Sequence, residues 1–490
     1  MIRFSSMLPK AYLLSGLLSA WGTLPTYAVE NKEMLLSGLG WVQYGHVAHS
    51  TDTVNLNTNG NTLQTLGAQI SLFSQISEKL SGTAGLGVIE NLPMAGGIEG
   101  GGRIPTNVTP YIAEASFHYS FWESEKSGLV LTGGLFHYNY NPDIQNLGLY
   151  LLRGPVYPGV VISGFETKHV LPISNILGFQ LRHQSGGFMQ DLILNSENEL
   201  HPYFDVSPAY IAQYRFGNAF RIGAGVNFYH LIPIDKKLTS PDLDSVLLTQ
   251  RMEQPEDKVK GPYDRVMIYV DTTGPKRDTT MLSFQGTKVM ANFTFDPKAI
   301  WGQGEWLGPE DLKIYGEMAV IGLNTSKAYN ALYGDLMHRM PVMMGFNLPM
   351  FRFLDHLSLE VEWYGAKFKD DYSRYRSGVR SFYESPIPVS NSFLSRSPQA
   401  YIDPVTGAKS TVVSGTTIPF DQADVEKSQY RDNWKWSLHG SKIIQNHFKV
   451  SFQVANDHLR PGGTQDQPSF DAVLTTPKDW YWMTKVGYFF

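Results

Sequence analysis

What most constrains this chain is a two-residue repeat. In YIAEASFHYSF (111–121), Tyr111, Ala113, Ala115, Phe117, Tyr119 and Phe121 share one side, and Glu114, Ser116, His118 and Ser120 share the other. The pattern recurs in LGAQISL (66–72), FRIGAGVNF (220–228) and HFKVSFQVA (447–455). Successive side chains of a strand point to opposite faces, so each segment predicts a strand with one apolar and one polar face. Beyond the N-terminal leader, no stretch approaches the ~20 apolar residues of a membrane-spanning helix. Charged residues make up 17 % of the chain, against roughly 25 % in soluble domains. Aromatics reach 13 %. Many aromatics, few charges and no helical span point to strands that face lipid on one side only.

A soluble sandwich would alternate in the same way, so the connections decide. Short links such as SEKLS (77–81), WESEKSG (122–128) and GN (217–218) alternate with long polar or Gly/Pro-rich ones at 93–110, 141–174, 233–279, 324–338, 369–431 and 459–477. Tight turns at one end and long loops at the other are the habit of a membrane barrel. The expected fold is all-β: a transmembrane antiparallel β-barrel of about sixteen strands, with short periplasmic turns and long extracellular loops. The strands are expected near 34–50, 61–76, 81–92, 111–121, 128–140, 175–185, 188–196, 207–216, 219–231, 280–295, 311–323, 339–348, 357–368, 432–441, 446–458 and 478–490. The extended segments GVVISGFETKHV (159–170) and RVMIYVD (265–271) are read as part of an infolded loop and as half of an extracellular hairpin. Closure leaves no edge strand, and every backbone group finds a partner without water.

The leader indicates the compartment. Arg3 and Lys10 precede the apolar run AYLLSGLLSAWG (11–22), and TYA (26–28) offers small residues for a signal peptidase. Cleavage after Ala28 leaves 29–490 as one barrel domain. The net charge of −5 carries no basic patch suited to nucleic acid. Without cysteine there is no disulfide framework and no thiolate metal site. The histidines, His46 and His49 included, lack metal spacing. AGGIEGGG (95–102) has no following Lys-Ser/Thr, so it reads as a loop and no cofactor is expected.

The leader, the alternating strands and the closing stretch KDWYWMTKVGYFF (478–490), which ends in Phe490, resemble bacterial outer-membrane β-barrel proteins, porin-like in strand number and length. The resemblance covers the mature chain and is architectural. It implies residence in the outer membrane of a diderm (Gram-negative) bacterium, surrounded by outer-membrane lipid. It also implies that Val486, Tyr488 and Phe490 form the signal read by the barrel-assembly machinery. A homotrimer is among the assemblies it suggests, although the sequence names no interface.

About sixteen strands enclose a water-filled bore, and the first strand starts too soon after the leader for a plug domain to precede it. The expected function is passive diffusion of small hydrophilic solutes. In the polar register, Arg182, Arg215, Arg221, Lys288, Lys313, Lys449 and Lys485 face Glu114, Asp191, Glu317, Glu360, Glu362 and Asp479, a near balance that favours neither ion sign. The candidate constriction is 141–174. Asn141-Pro142-Asp143 starts a turn, and LGLYLL (147–152) is too apolar for an exposed loop. Its apolar side is expected on the inner wall, with Asp143, Tyr150, Arg153 and Tyr157 facing the pore. The alternative is an adhesion or partner-binding barrel that uses loops 233–279 and 369–431. No catalytic residues are assigned, because Glu360 and Glu362 two apart are the ordinary pleat of one strand face.

Overall fold

The computed structural model describes residues 34–50, 62–92, 107–124, 126–152, 175–196, 204–232, 286–301, 306–323, 336–363, 433–457 and 477–490. Short stretches between them are also described (2–3, 234, 266–271, 278–283, 387–388, 399–402, 409–412, 417–418, 459 and 474). Sixteen strands close into one antiparallel barrel. They are β1 Met34–His49, β2 Thr62–Gln75, β3 Leu80–Leu92, β4 Asn107–Glu123, β5 Ser127–His137, β6 Asn175–Ser185, β7 Phe188–Ser196 and β8 Val206–Phe216. The second half comprises β9 Phe220–Tyr229, β10 Gly286–Phe295, β11 Ile314–Val320, β12 Val342–Asn347, β13 His356–Trp363, β14 Trp434–Ile444, β15 Phe448–Asn456 and β16 Trp480–Phe489.

Each strand pairs with its neighbours in sequence, and β16 closes on β1 from Leu39↔Phe489 to His49↔Trp480. Phe490 extends that ladder: its N–H donates to the Gly38 carbonyl at 3.1 Å, and the Gly38 N–H donates back at 3.0 Å. Its ring lies over Gly38 where a Cβ would stand. Beyond it, Ile2–Arg3 pairs with Leu36 and Leu35.

Burial follows the two-residue period. On β13, Ser358, Glu360 and Glu362 are buried while Leu359 and Val361 are exposed; on β16, Tyr481, Met483 and Lys485 are buried while Trp480, Val486 and Tyr488 are exposed. The polar register therefore lines the interior, and the apolar register forms the outer surface. One expectation fails locally. Around β4, the pairing passes from Gly85↔Glu114 to Leu86↔Ile112, so Ala113 is an extra residue. This bulge inverts the alternation. Tyr111 joins Glu114 on the inner face, and the exposed Ile112 takes its place outside.

At one rim the strands are joined by tight turns. Gly186 and Gly217 adopt φ of 57°, and Gln445 and Asn446 adopt φ of 52° and 59°, as two-residue hairpin turns require. The β10–β11 connection at this rim carries a short helix, α1 (Lys298–Trp301). The expected strand 280–295 is divided. Only Gly286–Phe295 belongs to the barrel, while Asp278–Ser283 pairs with Val266–Asp271 as a separate hairpin. Segment 159–170 lies outside the described residues, as do most of 233–279 and 369–431.

Candidate functional site

A sixteen-stranded barrel with strands ~4.8 Å apart and tilted ~40° has a backbone radius of ~16 Å. Side chains of ordinary length cannot fill such a bore, so an apolar patch on its wall needs another part of the chain to cover it. Such a patch exists. Ile176, Ile193, Ala209, Ile211, Met290, Tyr315, Ala319 and Met343 point inward from β6 to β12. Ile144, Leu147, Tyr150 and Leu151, from the segment after β5, bury themselves against it. Burying each of these large side chains contributes about 1.5–3 kcal/mol relative to exposure.

The segment 138–152 reaches far across the barrel. Glu360 lies in the middle of β13, eight strands from β5 in either direction round the wall. Its carboxylate accepts the N–H of Gln145 at 2.7 Å on Oε1, and those of Asn146 and Leu147 at 2.9 and 2.8 Å on Oε2. Three successive amides converging on one carboxylate form a backbone nest. Tyr315 supplies a fourth donor, its hydroxyl 2.8 Å from Oε1. Gly345 makes that bond geometrically open: it lies between Tyr315 and Glu360 in register, and the Tyr315 ring occupies the space its Cβ would take.

Other wall carboxylates serve the same purpose. Glu317 Oε1 accepts the Tyr140 hydroxyl and the Tyr150 N–H, both at 2.8 Å, and Glu362 accepts the Tyr150 hydroxyl at 2.6 Å. Asp191 takes the Tyr138 hydroxyl at 2.8 Å while Arg182 holds it through two bonds of 2.8 and 2.9 Å. At the tip, Asn146 donates to Asp457 at 2.7 Å, and Tyr481 donates to the same oxygen. Gly148 and Leu149 have φ of 83° and 59°. This left-handed pair turns the chain back, so that the Leu151 N–H meets the Tyr140 hydroxyl. A residue other than glycine rarely adopts such a φ, and the burial of Tyr150 and Leu151, which follow it, holds it there.

Towards the tight-turn rim, Asp143 anchors the segment. It accepts from Arg221 at 2.6 Å, Thr294 at 2.8 Å and Lys313 at 3.2 Å. Burial raises its pKa, but the Arg221 and Lys313 charges and the bonds from Thr294 and Lys313 together hold it below the usual carboxylate range. Burial, then the Asp191 and Glu317 carboxylates, drive the Tyr138 and Tyr140 hydroxyls well above the usual phenol range, so both remain protonated donors.

The expected pore-facing residues are placed differently. Asp143 and Tyr150 are buried between segment and wall, where their polar atoms meet partners instead of water. A charge is held in a nearly dry contact only when paired, and here the pairing fastens the loop. Pro142 is exposed and Asn139 and Gln145 are half-buried, while Leu149 and Leu152 pack on the edge of the apolar core. Arg153 and Tyr157 lie outside the described residues.

The wall residues expected from the alternation share the inner register. Glu114 bonds to Ser116, Lys288 lies buried over the Tyr229 ring, and Lys485 sits over the Trp41 ring. Arg215 is exposed and Lys449 half-buried. Val486, Tyr488 and Phe490 lie on the outer face. The inward apolar residues were missed. Their signal was a break in alternation: Leu192-Ile193-Leu194 and Val342-Met343-Met344 are apolar in both registers.

No family model and no curated protein matches the chain. Solved structures resemble it over most of its length. Salmonella typhi OmpF in complex with daunomycin is 10 % identical, with 94 % of this chain and 98 % of that one covered at a TM-score of 0.41. A mutant of the Rh. blastica porin is 7 % identical, with 93 % and 100 % covered at a TM-score of 0.38. The barrel itself rests on its own strand register; these likenesses supply no residue-by-residue correspondence.

Proposed function

We propose that this chain is an outer-membrane channel for passive diffusion of small hydrophilic solutes, narrowed by the docked segment 138–152. The observation that carries the reading is the carboxylate clasp at Glu360, which holds the segment across the interior of a closed barrel. A bore of ~16 Å backbone radius is too wide to discriminate small solutes until an internal element occupies part of it.

The exterior supports a membrane setting. Val42, Leu86, Ile112, Phe179 and Val486 are exposed on the outer face with many other apolar side chains. A soluble monomer rarely leaves so much contiguous apolar surface in water. In this reading the leader directs export, lipid covers the outer register, and the machinery that assembles barrels reads Val486, Tyr488 and Phe490. Arg153 and Tyr157 are proposed to face the pore beyond the described part of the segment.

Reconstitution into vesicles tests the function. Vesicles carrying the protein should swell in small sugars and exclude larger ones, with Arg153→Ala altering single-channel conductance. Vesicles that stay impermeable to every sugar would refute the channel reading.

A further inference from the structure

The accessible charges of the lumen are segregated along the barrel axis. Arg182, Arg215, Arg221, Lys313 and Lys449, none of them fully buried, all lie within a few residues of the tight-turn end of their strands. At ~3.3 Å per residue they form a collar roughly 13 Å deep. The carboxylates at this level are tied to the collar: Asp143 to Arg221 and Lys313, Asp191 to Arg182, and Glu310 to Lys313.

Arg215 differs from the others. It is exposed, it stands directly across the β8–β9 pair from Arg221, and among the described residues it has no ion-pair partner. Like charges directly opposite on neighbouring strands are destabilising, so the pair concentrates positive charge at one spot. The remaining wall acids are withdrawn from the bore. Glu317, Glu360, Glu362 and Asp457 are buried under the docked segment, and so is Lys288, while Lys435 is buried against the Leu474 carbonyl. Among the described residues, the half-buried Glu114 and the exposed Glu123, at the tight-turn end of β4, are the acids that oppose the collar. The balance of signs along the sequence is therefore not the balance that a solute meets. Charges of one sign lining a narrow, low-dielectric passage raise the local concentration of the opposite ion.

We infer that the channel prefers anionic solutes, and that Arg215 sets this preference at the tight-turn mouth; the inference rests on the channel reading above. Carboxylate, phosphate and sulfate groups on small molecules share the chemistry that the collar attracts. The test is the reversal potential of the protein in planar bilayers under a KCl gradient at low ionic strength, where screening is weakest. The expected wild-type potential has the sign set by chloride. Arg215→Gln should shift it towards the potassium value, and Arg215→Glu should shift it further. A wild-type potential of the potassium sign, or an Arg215→Glu potential equal to wild type, would overturn the inference. Sugar-driven vesicle swelling separates the two readings: swelling without anion preference sinks this one alone, whereas the absence of both swelling and conductance sinks the channel itself.

Discussion

Replacing Glu360 with Gln should loosen the internal segment without emptying the barrel interior, because the side chain keeps its size. The carboxylate accepts two donors on each oxygen: Gln145 N–H and the Tyr315 hydroxyl on Oε1, Asn146 and Leu147 N–H on Oε2. A glutamine can keep only one of these oxygens. Its best orientation places the amide nitrogen on the Oε1 side, where the Tyr315 hydroxyl can rotate to accept while the Gln145 N–H loses its partner. The two bonds that survive lose their charge assistance. Hydrogen bonds to charged groups are worth about 1.5–3 kcal/mol each and neutral ones about 1, so docking should weaken by about 3 kcal/mol, roughly 100-fold in the undocked population.

The chain has no cysteine, so a single introduced one reports cleanly. Ile144 is fully buried in the docked segment, and the thiol of Ile144→Cys can react only during undocking. Its labelling rate should rise roughly 100-fold when Glu360→Gln is added, if closing outpaces labelling. Single-channel records of Glu360→Gln should show more frequent excursions to higher conductance. A labelling rate unchanged by Glu360→Gln, in protein that still forms the folded barrel, would refute the assignment of Glu360 as the clasp.

Gly345→Val should displace the Tyr315 ring and cost about 1–3 kcal/mol, with an Ile144→Cys labelling rate that rises less than in Glu360→Gln. Asp143 sets the pH response. Its folded pKa lies below the unfolded value, so its contribution is fully present above the unfolded pKa of ~3.9 and is lost as pH falls through the lower folded value. Conductance should therefore hold from neutral pH to about pH 5 and change only in stronger acid, and Asp143→Asn should bring that acid behaviour to neutral pH. Deleting Phe490 removes two hydrogen bonds of the closing ladder and the ring over Gly38. Refolding into lipid should slow, measured as the rate at which the barrel becomes resistant to protease.

The strands were legible because outward and inward positions differ in chemistry and the difference repeats every two residues. Where a bulge adds a residue, as at Ala113, the period alone assigns Tyr111 to the wrong face. The bulge leaves no mark in residue type, since Ala suits either side. The segment was legible for a different reason: LGLYLL is too apolar for an exposed loop. Its orientation was not legible, because Asp143 and Tyr150 find their partners on strands distant in sequence, at Arg221, Lys313 and Glu362. Single-residue chemistry cannot tell a charge that faces water from one that is paired in a contact. That decision depends on a lumen wall carrying both Ile211 and Glu317.

The wall that docks the segment also links aperture to stability. From β6 to β12 the lumen face has an apolar core, Ile193, Ile211, Met290, Tyr315 and Met343, that among the described residues the segment covers. The β1–β3 face opposite it combines small or polar inward residues such as Thr65, Gly67, Gln69, Ser71 and Gly85 with a separate apolar cluster of Trp41 and Ile89 that the segment does not enter. Undocking would therefore wet apolar surface from β6 to β12 and also break the bonds to Glu360 and Glu362 on β13 and to Asp457. The carboxylates explain how such a contact stays specific. An apolar strip alone would tolerate sliding of the segment along the wall, whereas a nest of three N–H groups on Glu360 accepts only one register. Substitutions that enlarge the passage by shortening Ile144, Leu147 or Leu151 should thus lower barrel stability as they raise conductance. Substitutions of Arg215, which touches neither the core nor the clasp, should change selectivity and leave stability nearly unmoved.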